Sequence, residues 1–539
     1  MNRLQVVEQF VKKQFLLSPD FFDSYGGDDK FILAFTEKDR PLVLTFDLIN
    51  ILKRSNSKVG EINWVEFEKA RVLWEKGKEN KIYHTFIDIL SKRPVLENTQ
   101  ITNIKDEVAH ELMARPETTK DASSNKNGSV IVTKNYEDEE NKKKEVTHFV
   151  QYFRLRYNAL KTILLTREEL RDAISIGRLN PQAGREEISL IGMVQEKRKT
   201  KNGSYIIALE DLTGVVKLII NKENKDLFSL IEDVVLDDII GVKGIFNGDV
   251  VYPRNIFFPD IPLSNNTKKS PDDVVAAFIS DVHVGSSLFL EKQFLHFIQW
   301  LNSNECKASR VKYLFVIGDL VEGAGVFPGQ EESLAILDVA EQYKALARYL
   351  DMIRKDIFII LCPGDHDAVR LSHPQPVLSE KWAPEIRDLG NVILVTNPSM
   401  VNIHATLDFP GFDVLLYHGH GFHYFYDNVE SLRKSNALEN PGKILTFLLQ
   451  RRHLAPTHTA TVYLPDTRSD PMVIDRIPDI FACGHLHRSA VGSYRNVITI
   501  NCSCWQARTD FQIKVDNHPD PGKVIMVNLK SRDVEVIQF

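Results

Sequence analysis

Five apolar, strand-like runs in the second half of the chain each end in acidic or imidazole side chains, and this pattern constrains the fold more than any other feature. Near-continuous apolar strands are typical of a sheet covered on both faces, with ligands at the carboxyl ends of the strands. We therefore predict an α/β domain whose functional site lies at that edge. The runs read, in chain order, FISDVHVG, VIGDLVEG, CPGDHDAVR, LLYHGHG and CGHLHR.

Each of these motifs alone is a weak signal, because a Gly-Asp pair after a strand is a common turn and a single histidine is usually a core or surface residue. Five in succession are a stronger one, since no packing rule asks for acids and imidazoles at those places. Mixed carboxylate and imidazole ligands favour Mn, Fe or Zn over Mg and Ca, which prefer oxygen ligands. The sequence therefore predicts two divalent transition-metal ions, with Mn²⁺ as the first choice and Fe or Zn as alternatives.

The order of the motifs, D-x-H, GD, G-x-H, H and GHxH, resembles that of the calcineurin-like metallophosphoesterases. The resemblance implies a β-sandwich flanked by helices, with two metal ions that polarise one phosphoryl group and a water molecule as nucleophile. It also implies a bridging position for Asp319. The remaining ligands that it implies are Asp281, His283 and His487 for one ion, and Asp365, His418 and His485 for the other.

The same resemblance gives catalytic roles to two more residues. His366 stands where that family has the general acid that protonates the departing alkoxide, and Glu322 stands where an acid often orients this histidine. Asp365 departs from the family, in which the usual residue is Asn. Because an aspartate adds negative charge, we expect tighter metal binding and a less electrophilic ion.

A second region, over 186–265, consists of short β-rich runs separated by turn residues. A helix-compatible piece, NKDLFSLIEDV, lies between the third and fourth of five such runs. This arrangement favours a small Greek-key barrel of the OB type. The loop predicted between its first two strands reads KRKTKNG, which indicates either an electrostatic contact with a DNA backbone or a solvated hairpin tip. The basic residues of that loop are Lys197, Arg198, Lys199 and Lys201.

The rest of the chain completes a multidomain plan. Apolar residues at helical spacing predict a small helical N-terminal domain over 1–95, and a polar stretch poor in aromatic residues predicts a flexible linker over 96–145. A helical period then predicts a connecting helix over 146–185. The phosphoesterase domain is expected over 266–539.

An OB-like barrel directly before a phosphoesterase domain resembles the B-subunits of replicative DNA polymerases. The phrase PGDHDAVR, with HPQP soon after it, is similar to the small subunit of the archaeal family D polymerase. This resemblance covers roughly 146–539. It implies a proofreading 3′-to-5′ exonuclease that acts on single-stranded or primer-template DNA beside a large polymerase subunit. Arg370 is a candidate for binding a substrate phosphate.

Two other functions remain open at this stage. One is a phosphoesterase acting on a small molecule or a phosphoprotein, and the other is a non-catalytic scaffold that braces a polymerase subunit. The charge is nearly balanced, with 67 basic and 73 acidic residues, so contact with nucleic acid has to be local. The scattered cysteines and the charged first twenty residues favour a reducing cytoplasm and no membrane partner.

Overall fold

The computed structural model describes residues 16–17, 43–44, 129–136, 143–182, 184–466, 468–514 and 516–539. The chain divides into two compact units, Met1–Asp121 and Ala122–Phe539. In the first unit the described residues form a parallel pair of short strands, β1 (Leu16–Leu17) and β2 (Val43–Leu44). The helical domain predicted over 1–95 otherwise lies outside the described residues.

The second unit begins with an ordered strand inside the stretch predicted to be a flexible linker. Strand β3 (Val130–Lys134) pairs antiparallel with residues 400–403, and Lys134 Nζ donates to the carbonyl of Val473 at 2.7 Å. Its sequence, VIVTK, contains four consecutive β-branched residues, which favour a strand once a sheet edge is available. The linker prediction over 96–145 is therefore wrong for these five residues.

Helix α1 (Val146–Leu164) follows, and it is shorter than the connecting helix predicted over 146–185. Its buried positions lie on one face and include Tyr152 and Arg156. Arg156 Nε lies 2.6 Å from Asp470 Oδ2, and the Tyr152 hydroxyl donates to the other oxygen of that carboxylate at 2.6 Å. These contacts dock the helix onto the second half of the unit. Short 3-10 helices follow at Glu168–Leu170 and Ile176–Arg178.

Five strands then form a closed barrel with the order β4-β5-β6-β8-β7. Alternate residues point inwards, as Leu190 and Val194 on the first strand and Ile207 and Leu209 on the second illustrate. Helix α2 (Lys225–Glu232) lies between the third and fourth strands, and its N-cap Asn224 accepts a hydrogen bond from Leu227 N. The strands are β4 (Arg185–Lys199), β5 (Tyr205–Glu210), β6 (Val215–Ile220), β7 (Ile239–Asn247) and β8 (Val250–Phe257).

Beyond the barrel, the chain continues with eleven strands and eight α-helices in the described residues. The strands are β9 (Val275–Ile279), β10 (Val311–Ile317), β11 (Phe358–Cys362), β12 (Val392–Leu394), β13 (Ser399–Ile403), β14 (Phe412–Leu416), β15 (Ile480–Cys483), β16 (Ala490–Tyr494), β17 (Val497–Asn501), β18 (Lys523–Asn528) and β19 (Val534–Gln538). The helices are α3 (Glu291–Leu301), α4 (Cys306–Ser309), α5 (Val339–Asp351), α6 (Pro384–Asp388), α7 (Phe422–Asn428), α8 (Glu430–Lys434), α9 (Gly442–Arg451) and α10 (Asp510–Lys514), with a 3-10 helix at Gln330–Ser333.

These strands form two six-stranded sheets, with the orders β12-β11-β10-β9-β18-β19 and β16-β17-β15-β14-β13-β3. Strands β9 to β12 run parallel in the first sheet, and β14, β15 and β17 run parallel in the second. Every residue of β9, β10 from Tyr313 onward, β13 and β14 is buried, as expected for a sheet covered on both faces.

The two sheets pack face to face, with helices on their outer faces. Phe278 and Phe315 of the first sheet share one apolar cluster with Val414 of the second. The alternate residues of the first sheet, such as Ile279, pack with α3 and α5, and those of the second, such as Leu415, pack with α7 and α9. The structure is thus a β-sandwich flanked by helices. In the described part of the chain, no helix has the length and apolar character to cross a bilayer.

Candidate metal centre

The sandwich brings the carboxyl ends of parallel strands from both sheets together at one edge. Asp281 and His283 follow β9, Asp319 follows β10, and Asp365 follows β11. From the second sheet, His418 follows β14, and His485 and His487 follow β15. All seven predicted ligands belong to groups whose ligand atoms lie within 4.8 Å of one another.

One group consists of Asp281, His283 and His487. His487 Nε2 lies 3.2 Å from His283 Nε2 and 3.3 Å from Asp281 Oδ1. Donor atoms that share an ion stand roughly 3 to 4 Å apart, because each lies about 2.1 Å from it. The separations therefore fit a single ion held by one carboxylate and two imidazoles.

A second group consists of Asp365, His418 and His485. Asp365 Oδ2 lies 3.4 Å from His485 Nδ1 and 3.9 Å from His418 Nε2. Burial lowers the pKa of His485 to about 3, so its ring is neutral, whereas the charges of Asp319, Asp281 and Asp365 outweigh burial and raise the pKa of His418 well above its usual range. A metal ion would therefore take the place of a proton on His418. This group also has the separations that one ion requires.

Asp319 lies between the two groups. Its Oδ2 is 3.8 Å from His283 Nε2 in the first group and 3.3 Å from His418 Nε2 in the second. Burial opposes the charge of this carboxylate, but the neighbouring imidazoles, first His418 and then His366, together outweigh burial and lower the pKa of Asp319 well below its usual range. The position is the one implied for a bridging ligand.

Two further observations are consistent with metal binding by these seven residues. The buried atoms His418 Nε2, Asp365 Oδ1 and Asp365 Oδ2 have no hydrogen-bond partner within the described chain, a costly state unless another species satisfies them. The backbone is also strained here, which costs roughly 1–3 kcal/mol per residue and is typical of functional sites. Five of the seven residues have left-handed φ angles: Asp281 (51°), His283 (53°), Asp319 (49°), His485 (72°) and His487 (56°).

Glycines allow the strand ends to approach this closely. A Cβ on Gly318, whose φ is 77°, would lie 2.1 Å from His418 Nδ1. A Cβ on Gly364 would lie 2.3 Å from Asp319 N. Both positions need glycine because an adjacent ligand loop occupies the space of a side chain.

The predicted acid, His366, lies beside the first group, and its contact with Glu322 differs from the one expected. His366 Nδ1 is 2.8 Å from the backbone carbonyl oxygen of Glu322. The Glu322 carboxylate instead lies 2.8 Å from His283 Nδ1 and accepts a hydrogen bond from Gln506 Nε2 at 2.8 Å. The Glu322 side chain therefore orients His283, a metal-ligand candidate. Glu322 contacts His366 through its backbone carbonyl instead.

Three residues that sequence reasoning did not assign complete the surroundings. The Asp367 carboxylate accepts hydrogen bonds from Gly364 N, Leu320 N and the Tyr343 hydroxyl, at 2.8, 3.2 and 2.9 Å, and so fixes the loop after β11. Burial and the charge of Asp319 raise the pKa of Asp367 to about 7. The other two are Gln506 and His420. His420 stands in the motif HGHG, which could have revealed it, whereas Gln506 lies in no motif.

Arg370, predicted to bind a phosphate, has partners within the chain. Its Nη2 donates to the carbonyl of Pro374 at 2.7 Å, and its guanidinium lies 5.4 Å from the centroid of the Tyr136 ring. The tyrosine belongs to the segment that begins with β3. Phosphate binding by Arg370 stays a prediction.

The basic residues predicted for the first barrel loop lie mostly on strand β4 instead, because the strand extends to Lys199 and only Lys201 lies in the turn. Lys197 Nζ donates to the carbonyls of Glu232 and Val234, at 2.9 and 2.8 Å. Burial lowers the pKa of Lys197 to about 8. The Lys197 ammonium thus caps the end of a helix, and DNA binding by Lys197 stays a prediction.

The other basic side chains of this region are more open. Arg198 Nε lies 3.5 Å from Glu196 Oε1, and both side chains are more than half exposed. Lys199 Nζ lies over the rings of Tyr205 and Phe228, 5.4 and 5.2 Å from their centroids. DNA binding by Arg198, Lys199 and Lys201 stays a prediction.

Comparisons with known proteins place the chain among replication proteins. A family model that describes the B-subunits of DNA polymerases alpha and epsilon matches residues 276–491. The DNA polymerase II small subunit of Methanothermobacter thermautotrophicus is 37% identical over 390 residues, or 71% of this chain and 78% of that protein. The protein of the same name from Pyrococcus abyssi is 35% identical over 478 residues, or 86% of this chain and 73% of that protein.

Among solved structures, one described as a novel archaeal phosphodiesterase covers 49% of this chain and 100% of its own, at 12% identity and a TM-score of 0.25. That score is too low to define a common fold, so the family rests on the sequence matches. Because those matches span most of the relatives' own length, the chain belongs to the family of small subunits of archaeal DNA polymerase II, the family D polymerase.

Proposed function

We propose that this chain is the proofreading subunit of a two-subunit archaeal replicative polymerase, a dimetal 3′-to-5′ exonuclease. The observation that supports this most directly is the position of the Asp319 carboxylate. It lies within 4 Å of imidazoles from two separate ligand groups, as a residue shared by two metal ions must. Two-metal sites of this kind serve in-line displacement at phosphorus.

The ions would be divalent transition metals, Mn²⁺ first and Fe or Zn as alternatives, because the ligands mix carboxylates with imidazoles. Asp281, His283 and His487 would hold one ion, and Asp365, His418 and His485 the other, with Asp319 between them. When bound, such ions supply polarisation of the phosphoryl group and a water nucleophile at neutral pH.

The chain's own residues position the site and supply the proton. His366 Nδ1 is fixed by the carbonyl of Glu322, so proton transfer falls to Nε2. That atom donates to the departing 3′-oxygen as the last phosphodiester bond breaks, and a nucleoside monophosphate leaves. Glu322 and Gln506 hold His283 in its orientation. Glu322 thus fixes the rings of both His366, the proposed acid, and His283, a proposed metal ligand.

The remaining parts of the proposal concern partners. The small-subunit family implies a large catalytic subunit, which would carry out polymerisation. The closed barrel, over 186–265, is proposed to be of the OB type and to guide single-stranded or primer-template DNA to the domain over 266–539. Its open basic residues, Arg198, Lys199 and Lys201, would contact the phosphates, and Arg370 would bind the phosphate near the scissile bond.

The test replaces His366 by alanine in the full chain, alone and with its large subunit. A 5′-labelled oligonucleotide with a mismatched 3′ end is incubated with Mn²⁺, and release of the terminal nucleotide is followed. We expect His366→Ala to lower hydrolysis by roughly 10² to 10⁴-fold, while Mn²⁺ content and affinity for the large subunit stay near the wild-type values. A matched control is His458→Ala, because His458 is exposed and pairs with Asp237 on the barrel side.

Three results would contradict the proposal in different ways. Undiminished hydrolysis by His366→Ala would remove the acid assignment. Hydrolysis of a small phosphodiester but not of DNA would favour a phosphoesterase of another substrate class. Absence of hydrolysis by the wild-type complex itself would leave the chain as a non-catalytic bracing subunit, the alternative that Asp365 in place of asparagine keeps open.

A further inference from the structure

A third imidazole approaches Asp365, the residue that departs from the phosphoesterase pattern. His420 Nδ1 lies 3.0 Å from Asp365 Oδ2, closer than either ligand candidate of the same group. The side chain of Asp365 is 11% exposed and that of His420 is 32% exposed. The contact is therefore formed at the rim of the second metal group, where one ring is partly open to solvent.

The turn after β14 places His418 and His420 near the same carboxylate. Gly419, between them, has a φ of 129°, and a Cβ there would lie 2.8 Å from the ring of Phe422 and 3.2 Å from the Cβ of His485. Only glycine fits this backbone without displacing those side chains. The HGH turn is thus shaped to bring both rings to Asp365.

The chemistry of aspartate explains why such a ring is needed here. An asparagine presents one acceptor oxygen, which a cation would occupy, whereas a carboxylate has a second oxygen and a full negative charge. A buried carboxylate is costly unless donors satisfy it. His420 Nδ1 is 3.0 Å from Asp365 Oδ2, a buried oxygen with no aligned hydrogen-bond donor within the described chain. The His420 ring is thus the donor placed to serve that oxygen, whether the ring is neutral or charged.

We infer that His420 is a positioning residue that orients the Asp365 carboxylate toward the second metal ion, and that aspartate at 365 and histidine at 420 act as a coupled pair. The inference rests on the metal centre of the proposed function, but it concerns metal binding rather than hydrolysis. It assigns to His420 a role outside the seven ligands. Outer partners of metal ligands typically change metal affinity by about 10 to 100-fold.

The test measures Mn²⁺ binding to the full chain by isothermal titration calorimetry and by electron paramagnetic resonance of free Mn²⁺. We expect His420→Ala to weaken one Mn²⁺ site by about 10-fold or more. His420→Asn keeps an amide N–H where Nδ1 stood, so it should bind Mn²⁺ within about 3-fold of wild type. His458→Ala is the matched control, because His458 is an exposed histidine that pairs with Asp237 and should leave affinity unchanged.

The coupling is tested in an Asp365→Asn background. There, adding His420→Ala should change Mn²⁺ affinity less than about 2-fold, because the acceptor with the extra charge is gone. Melting in EDTA confirms that each variant folds. If His420→Ala does not fold, His420→Gln replaces it, since the longer side chain keeps a polar group of similar size but moves the amide away from the position of Nδ1.

Several outcomes would overturn the inference. They are wild-type Mn²⁺ affinity in His420→Ala, an equal loss in both backgrounds, failure of His420→Asn to restore binding, and absence of Mn²⁺ binding by the wild-type chain. Hydrolysis is measured separately. A chain that binds Mn²⁺ with the predicted coupling but leaves DNA intact would contradict the proposed exonuclease while supporting the role of His420.

Discussion

Two buried clusters of aspartate and histidine in this molecule differ in what satisfies them. The Asp470 cluster, formed by Tyr152, Arg156, His453 and Asp470, is complete within the chain. Asp470 Oδ2 is contacted by Arg156 Nε at 2.6 Å and by His453 Nε2 at 2.9 Å, and Oδ1 accepts from the Tyr152 hydroxyl at 2.6 Å. A permanent cation and two neutral donors hold one carboxylate.

The candidate metal centre also combines aspartate with histidine, but its polar atoms are not all satisfied within the described chain. Asp281, Asp319 and Asp365 all pair with imidazoles, and His418 Nε2 and Asp365 Oδ1 have no hydrogen-bond partner within the described chain. The ligand positions there also carry left-handed φ angles. Burial of an acid beside a histidine therefore does not by itself mark a candidate metal site. Polar atoms without a donor and left-handed backbone distinguish the candidate site from the Asp470 cluster.

Breaking the Asp470 cluster should strongly destabilise the fold. Asp470→Asn leaves the Arg156 guanidinium buried without its counter-charge, so we expect the free energy of unfolding to fall by about 3–5 kcal/mol. Urea denaturation measures this, and calorimetry should show Mn²⁺ affinity unchanged. The matched control is Asp351→Asn, in an exposed pair with Lys355, which should cost less than about 0.5 kcal/mol. Loss of Mn²⁺ binding in Asp470→Asn would contradict the separation of the two clusters.

The next effect is a dependence of stability on pH. Burial, reinforced by the charge of Arg156, lowers the pKa of His453 to about 4, whereas in the unfolded chain it is about 6.5. Between these values the unfolded chain binds a proton that the folded chain does not. The contribution of neutral His453 to the free energy of unfolding is therefore fully present above pH 6.5. It is lost as the pH falls toward 4, by about 3 kcal/mol in all.

His453→Gln isolates this contribution, because glutamine keeps a polar side chain that does not titrate. Urea denaturation in EDTA at intervals from pH 7 to pH 4 should show a steeper loss of stability in wild type than in the variant. If stability falls with pH equally in both proteins, His453 is not the neutral donor of the Asp470 cluster. EDTA prevents metal binding at the candidate metal centre from affecting the measured stability.

A smaller effect is expected in the barrel, where Lys197 donates to backbone carbonyls and its basic neighbours are exposed. Replacing Lys197 by methionine should lower the free energy of unfolding by about 1–3 kcal/mol without changing how DNA affinity depends on salt. Neutralising Arg198, Lys199 and Lys201 together should reduce the salt slope by up to about 2 for single strands. Fluorescence anisotropy over a salt series measures both. A reduced slope for Lys197→Met alone would place its ammonium at the DNA after all.

Sequence reasoning predicted the elements best where the signal is local. Alternation and apolar runs placed the barrel strands and the sandwich strands, because a strand's period is visible in a few residues. The linker prediction failed at Val130–Lys134, since the polar surroundings hid a short β-branched run. That run forms a strand only because the distant β13 offers an edge.

Apolar runs fix where each strand stops, so the residues at the strand ends and their order could be read from the sequence alone. The pairs of side chains that meet could not: Glu322 with His283, His420 with Asp365, and Lys197 with the end of α2. The two kinds of feature differ in the sequence range over which they are set. A strand end depends on its neighbours in sequence, whereas a contact between side chains depends on packing of elements that are far apart in the chain.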